Sequence, residues 1–290
     1  MSYHSLKEIC KICKNEEKEF WEVIRADDCC ERQVSPDESL QDMNKMYEAM
    51  LSADASYDKK KRSASRLSGG DGALFWEYVE SGMNLSGSFM GKVIARAVCM
   101  AETNACMGRI VAAPTAGSCG VIPAVLISYQ EKTGIDNKKC AMALFTAAGI
   151  GEVISQKASL SGAAGGCQAE IGSAAAMAAG MTVHLQGGTP QQICDAAAIA
   201  LKSFLGLTCD PVGGLVEVPC IKRNAAAAEA AVSACDMVMA GIKSAIPADE
   251  VIEAMNEIGH DMPEKYKETA QGGLAVTESA VRKTRPRTRI

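Results

Sequence analysis

Aromatic residues are scarce in this sequence: Phe, Trp and Tyr together make up 4% of its 290 residues. A core without large rings must be filled by Ala, Met, Leu, Ile and Val, and the 48% hydrophobic share is enough for a substantial one. Period-2 alternation of β-branched residues is also scarce, which argues against a large sheet or a β-sandwich. No run of about 18 or more uncharged apolar residues is placed like a membrane span. The longest low-charge stretch, 171–185, is mostly Ala and Gly and carries His184. The first 25 residues are studded with Lys and Glu and do not read as a signal peptide. A net charge of -5 points to neither nucleic acid nor an anionic membrane. The expectation is a cytoplasmic protein with no nucleic-acid and no membrane partner.

Cysteine, by contrast, is abundant: 13 residues, an odd number, in a chain whose start does not read as secretory. A disulfide framework is not expected in a reducing compartment. The thiols then divide into small buried hydrophobes and ligands. Helical periodicity sorts many of them. Leu6, Ile9, Cys10 and Cys13 recur at helical spacing, and Phe20 and Ile24 continue the pattern. A second helix is expected over 40–51. A basic, Ser/Gly-rich connector, KKKRSASRLSGGDG, follows.

From about residue 88 to 245 the composition turns to small residues. Helices are expected over 92–107, 122–131, 139–150, 168–181, 189–205 and 223–240, several of them apolar all round and therefore buried. Cys99, Cys106, Cys140, Cys194 and Cys235 fall inside these helices and read as core. The predicted fold is all-α, a compact helical catalytic domain with Gly-rich loops lining a site. Its parts are an N-terminal helical segment (1–65), the catalytic domain (66–275) and a flexible basic tail (276–290), the last lacking any apolar pattern.

The loops between the helices hold a different kind of cysteine. Cys167 lies in SGAAGGCQAE, Cys209 in GLTCDPVGG and Cys220 in VEVPCIKRN. Glycine lets a backbone approach a ligand closely, so a loop cysteine can aim its sulfur into a shared cavity. Structural zinc favours C-x2-C pairs. Cys10 and Cys13 have that spacing, and Cys29 and Cys30 adjoin, but the first pair lies on an apolar helical stripe. The loop cysteines contain no such pair. They are 42 and 11 residues apart, which suits ligands gathered by tertiary structure and is compatible with an iron–sulfur cluster held by three thiolates. Cys119, in PTAGSCG, is open to three readings: fourth ligand, nucleophile or pocket wall. None of the three histidines, His4, His184 and His260, lies close to it in sequence to serve as a base.

Three long stretches, MGKVIARAVCMAETNACMGRIVAAPTAGSCGVIPAVL, SGAAGGCQAEIGSAAAMAAG and LGLTCDPVGGLVEVPCIKRNAAAA, closely resemble the iron–sulfur-dependent bacterial L-serine dehydratases. Within that family the chain resembles the alpha chain of the two-chain form. The resemblance covers most of 85–275. It implies a largely helical catalytic domain and a [4Fe–4S] cluster held by Cys167, Cys209 and Cys220 with one iron left open. It also implies conversion of L-serine to pyruvate and ammonia. Single-chain members carry an additional N-terminal domain, so a separate beta chain is the expected partner. Some also end in a cysteine that reaches back to the open iron, whereas no cysteine follows Cys235 here.

The carboxylate of serine needs donors. The loop Pro114–Gly120 precedes an expected helix with Pro123 near its first turn. Backbone N–H groups there, with the hydroxyls of Thr115 and Ser118, form a candidate anion site. Lys92 is a candidate to pair with the substrate carboxylate or, if burial lowers its pKa, to act as base. Asn104, Gln168 and Glu170 are further polar residues beside the motifs, Glu170 reading as structural or supporting rather than as the base. The sequence names no base. Three other functions stay open. One is an L-cysteine desulfidase with a similar cluster. A second is a pyridoxal-phosphate dehydratase, for which Lys92 and Lys157 lack a phosphate-cup loop. A third is a non-enzymatic electron carrier or regulatory subunit, in which Cys119 would complete a four-thiolate set.

Overall fold

Small side chains at helical spacing let helices approach closely, and this chain uses them throughout. The computed structural model describes residues 3–284. The described residues contain no strand, and their one β contact is an isolated parallel bridge between Cys209 and Lys267. The all-α class read from the sequence is therefore the observed one.

Three helices open the chain: α1 (Leu6–Glu16), α2 (Phe20–Arg32) and α3 (Pro36–Ala55). The apolar pattern that runs from Leu6 to Ile24 is interrupted because Glu17 takes a left-handed conformation at the end of α1. Glu19 and Glu22 then form a capping box that starts α2. Next come α4 (Asp71–Glu80), α5 (Gly87–Ala105), α6 (Val121–Thr133), α7 (Asn137–Lys157) and the single turn α8 (Gly162–Gly165). A π-helical turn, Gln168–Gly172, leads into α9 (Ser173–Leu185). The chain closes with α10 (Pro190–Lys202), α11 (Cys220–Met239), α12 (Ala248–Asp261) and α13 (Glu278–Thr284).

Helix α9 is the axis of the core. Every residue from Ser173 to Val183 is buried, and α6, α7, α10 and α11 all pack on it. Its Ala and Gly residues make this approach feasible: a Cβ at Gly180 would collide with Ile150 on α7 and crowd Ile193 on α10. The N-terminal segment joins the same core, with Phe20, Trp21 and Tyr47 buried and α2 and α3 packed on α7. The basic connector is tied down as well: Ser63 and Ser65 donate to the buried Glu217 at 2.7 and 2.8 Å. Helix α13 occupies part of the expected tail and packs against the 3-10 turn Val212–Gly214, while residues 285–290 lie outside the described residues.

Candidate active site

The three loop cysteines come from three separate elements, with Cys209 and Cys220 both near enough to Cys167 for its charge to reach them. Cys167 precedes the π-helical turn. Cys209 is held by the isolated bridge: its N–H donates to the Tyr266 carbonyl at 2.8 Å, and its carbonyl accepts from Glu268 N–H at 2.8 Å. Cys220 is the first residue of α11. Between Cys209 and Cys220 the chain reverses through Gly213 and Gly214, both at positive φ (68° and 70°), where a Cβ would be strained. Val212 N–H to Val218 carbonyl, 2.8 Å, closes this loop. All three side chains are buried.

Gln168 and Asn224 lock the loops together. Fully buried Gln168 donates to the carbonyls of Gly165 and Met255 and accepts from Gly206 N–H, joining the Cys167 loop to the segment before Cys209 and to α12. Asn224 donates to the carbonyls of Gly117 (2.7 Å) and Cys220 (3.0 Å) and accepts from Gly120 N–H (2.8 Å), joining the Cys220 helix to the PTAGSCG loop. Each amide thereby satisfies buried backbone groups that turn-rich loops would leave unpaired.

The electrostatics of the three thiols are unequal. Cys167 and Cys209 lie within hydrogen-bonding reach. That shared bond draws the Cys167 thiol below its ordinary value, with the Arg223 guanidinium helping, and pushes Cys209 up. Burial pushes Cys220 up to about 12, and the charge of Cys167 adds to it. The donors are soft thiolates drawn from separated segments. Among the described residues, no three His, Cys, Asp or Glu side chains converge tightly enough to hold a single metal ion. The cradle is tight: a Cβ on Gly162 would sit 2.9 Å from Cys209 Sγ.

The PTAGSCG loop holds an anion, and that anion is the protein's own. Thr115 Oγ1 donates to Glu170, and Gly117 N–H bonds the same carboxylate. Gly117 is required there, because a Cβ would come within 2.6 Å of Glu170 Oε1. The neighbouring N–H groups are also spoken for: Ser118 by Thr115 Oγ1, Cys119 by Ala116, Gly120 by Asn224 and Val121 by Ser118. The donors expected to receive a substrate carboxylate thus receive Glu170. Burial raises the pKa of Glu170, opposed by the Thr115 hydrogen bond, and Glu268 raises it further. The π-turn places Glu170 three residues after Cys167, and such turns recur at functional sites.

The structure brings Cys167, Cys209 and Cys220 together, and separately Thr115, Ser118 and Glu170. Ser118 is fully buried behind Thr115, their hydroxyls 3.0 Å apart, and Thr115 is half-buried. Lys92 joins neither group. It is half-exposed on α5 and faces Glu131 at 3.7 Å, near the far end of α6 from Ser118. Cys119 packs into a small cluster with Ala53 and Met100, and burial pushes it up to about 12. Cys106, expected in the core, falls just past the end of α5 and lines a cavity of about 220 Å³ with Tyr57, Lys61 and Arg109. Cys10 pairs with Cys194, their sulfurs 3.3 Å apart, rather than with Cys13.

Sequence reading passed over Arg223, Asn224 and Asp210. A signal existed for the first two. They lie three and four residues after Cys220 on a helix, the spacing that shares a face.

The family model described as the serine dehydratase alpha chain matches residues 7–275. A probable L-serine dehydratase alpha chain of Bacillus subtilis is 45% identical over 275 residues, covering 95% of this chain and 92% of that protein. The L-serine dehydratase alpha chain of Peptoniphilus asaccharolyticus is 38% identical over 273 residues, covering 94% of each. The L-serine dehydratase of Helicobacter pylori strain 26695 is 40% identical over 286 residues, which cover 95% of this chain and 62% of that protein.

Proposed function

The chain belongs to the serine dehydratase alpha chain family, and on that premise we propose that it is the catalytic subunit of an L-serine ammonia-lyase whose cofactor is a [4Fe–4S] cluster. It is an enzyme of the lyase class acting on L-serine, giving pyruvate and ammonia. The reading of the cofactor rests on one observation: three buried cysteines from three separate segments lie close enough for their charges to interact, beside the half-buried guanidinium of Arg223. Cys167, Cys209 and Cys220 are the residues that would hold the cluster. When bound, it supplies Lewis acidity for departure of the hydroxyl group, without electron transfer.

The chain's own residues do the rest. Thr115 Oγ1 and Gly117 N–H fix the Glu170 carboxylate at the edge of the site. Serine enters as a zwitterion, and its ammonium is the group an ionised Glu170 attracts. Ser118 supports Thr115 from behind and sets the direction of its hydroxyl. Burial of the thiols keeps bulk water from competing for the metal corner. A separate beta chain is the partner, as the alpha-chain description of the family and of its relatives implies.

The test is anaerobic co-expression with a candidate beta chain, followed by iron and sulfide counting and assays with both amino acids. Pyruvate from L-serine is the expected product. Hydrogen sulfide from L-cysteine with no turnover of L-serine would replace this reading with the desulfidase.

A further inference from the structure

Arg223 sits on α11 one turn after Cys220, and its side chain is only 17% exposed. Its Nη1 donates to the Thr208 carbonyl at 2.8 Å and its Nη2 to Asp210 Oδ1 at 3.0 Å. The Cys167 thiol lies close enough for its charge to act on the same guanidinium. One planar cation therefore bonds the residue on each side of Cys209 and lies near Cys167, from the helix that begins with Cys220. Asp210 extends the connection. Its Oδ2 accepts from Leu274 N–H at 2.8 Å, and Gly273 lies against it with no room for a Cβ.

A buried guanidinium is costly unless its donors are matched. Here a carbonyl and a carboxylate from the Cys209 segment match them, with the Cys167 segment alongside. We propose that Arg223 is the positioning residue that gathers the three cysteine-bearing segments and sets its charge beside the Cys167 sulfur, so that the thiol set is assembled before the cluster arrives. This rests on the three-cysteine reading above. Lysine, a compact point charge, reaches one of these acceptors at a time, whereas the guanidinium fork reaches both. Glutamine keeps a donor but removes the charge. Lys222, the neighbouring cation, is exposed and pairs with Asp71, so it is the natural control.

The experiment compares the unaltered full chain with Arg223→Gln, Arg223→Lys and Lys222→Gln, each first checked for native helix content. Hydrogen exchange is measured on the metal-free chains. Exchange at the Cys209 and Glu268 amides should quicken by about 10-fold or more in Arg223→Gln and Arg223→Lys, while Lys222→Gln matches the unaltered chain. The chains are then loaded with iron and sulfide anaerobically. Iron loss to a chelator should be about 10- to 100-fold faster in Arg223→Gln. Its cluster midpoint potential should move to more negative values, because a positive charge beside the sulfur is gone. Arg223→Lys should recover part of the potential but not the exchange protection. Exchange, iron retention and potential all equal to those of the unaltered chain would overturn the proposal. The exchange arm is read without metal, so it decides the gathering role even if the unaltered chain takes up no iron. In that case the cluster reading alone falls.

Discussion

Two pairs of thiols lie within hydrogen-bonding reach in this molecule, and their surroundings could hardly differ more. Cys10 and Cys194 face each other between helices α1 and α10, with Cys13 close enough to feel the Cys10 charge, and the nearby charges are the carboxylates of Asp195 and Asp249. Cys167 and Cys209 face each other between Gly-rich loops, with Cys220 close enough to feel the Cys167 charge and Arg223 alongside. In both pairs the shared hydrogen bond pulls one thiol down and pushes the other up. Proximity and burial are thus common to both. A third thiol nearby is common to both as well; the cation alongside, in place of carboxylates, is what separates them.

The sharpest way to break the comparison is to remove sulfurs from both sides. Cys167→Ala, Cys209→Ala or Cys220→Ala should each abolish the visible cluster absorption and lower serine turnover by at least about 100-fold, since the ligand is lost outright. Cys10→Ala and Cys194→Ala should keep both and cost about 1 kcal/mol of stability, the penalty of a small cavity. Cys119→Ser should likewise retain the absorption, because its sulfur faces Met100. Anaerobic spectra and urea melts of the six variants check this, and absorption surviving in any of the first three would show a misassigned ligand.

A smaller effect separates the polar ties of the two regions. Asn224→Ala leaves two carbonyls and one N–H unpaired beside Cys220 and should cost about 2–4 kcal/mol in urea unfolding. Gln186→Ala removes one bond to the Cys235 sulfur in the helical core and should cost about 0.5 kcal/mol or less. Equal costs would mean that the loop network is not the tighter of the two.

The smallest expected effect concerns pH. The folded-state pKa of Glu170 lies above its unfolded value, because burial and Glu268 disfavour the charge. Its contribution to stability is therefore present below the ordinary carboxylate range and is lost as pH rises through the folded value. Glu170→Gln should raise the Tm relative to the unaltered chain by a few degrees at about pH 7, and by less at about pH 4. A difference that does not vary with pH would contradict this account of the carboxylate.

Most of the helices could be read from the sequence because apolar periodicity and small-residue runs are local properties. The division between loop and helix cysteines was legible only in part: Cys209 lies in a loop as its glycine neighbours suggest, but Cys220 begins α11 and Cys106 falls just past α5. What stayed hidden depends on contacts far apart in the chain. Thr115 was read as a donor to a substrate carboxylate until the fold brought Glu170 onto it. Arg223 drew no reading at all, because its partners Thr208 and Asp210 are met only in the fold. Lys92 shows the reverse, a motif-adjacent lysine that the fold turns toward Glu131. Helix α4 was missed because its start, Asp71, follows the Ser/Gly-rich connector, which masks it.

The central claim is that three thiolates hold a cluster with one open iron. Mössbauer spectroscopy of the anaerobically reconstituted enzyme, before and after addition of L-serine, addresses it most directly. The account predicts that one iron environment shifts on adding serine while the others stay as they were. A cluster whose iron sites are all indifferent to serine would contradict it.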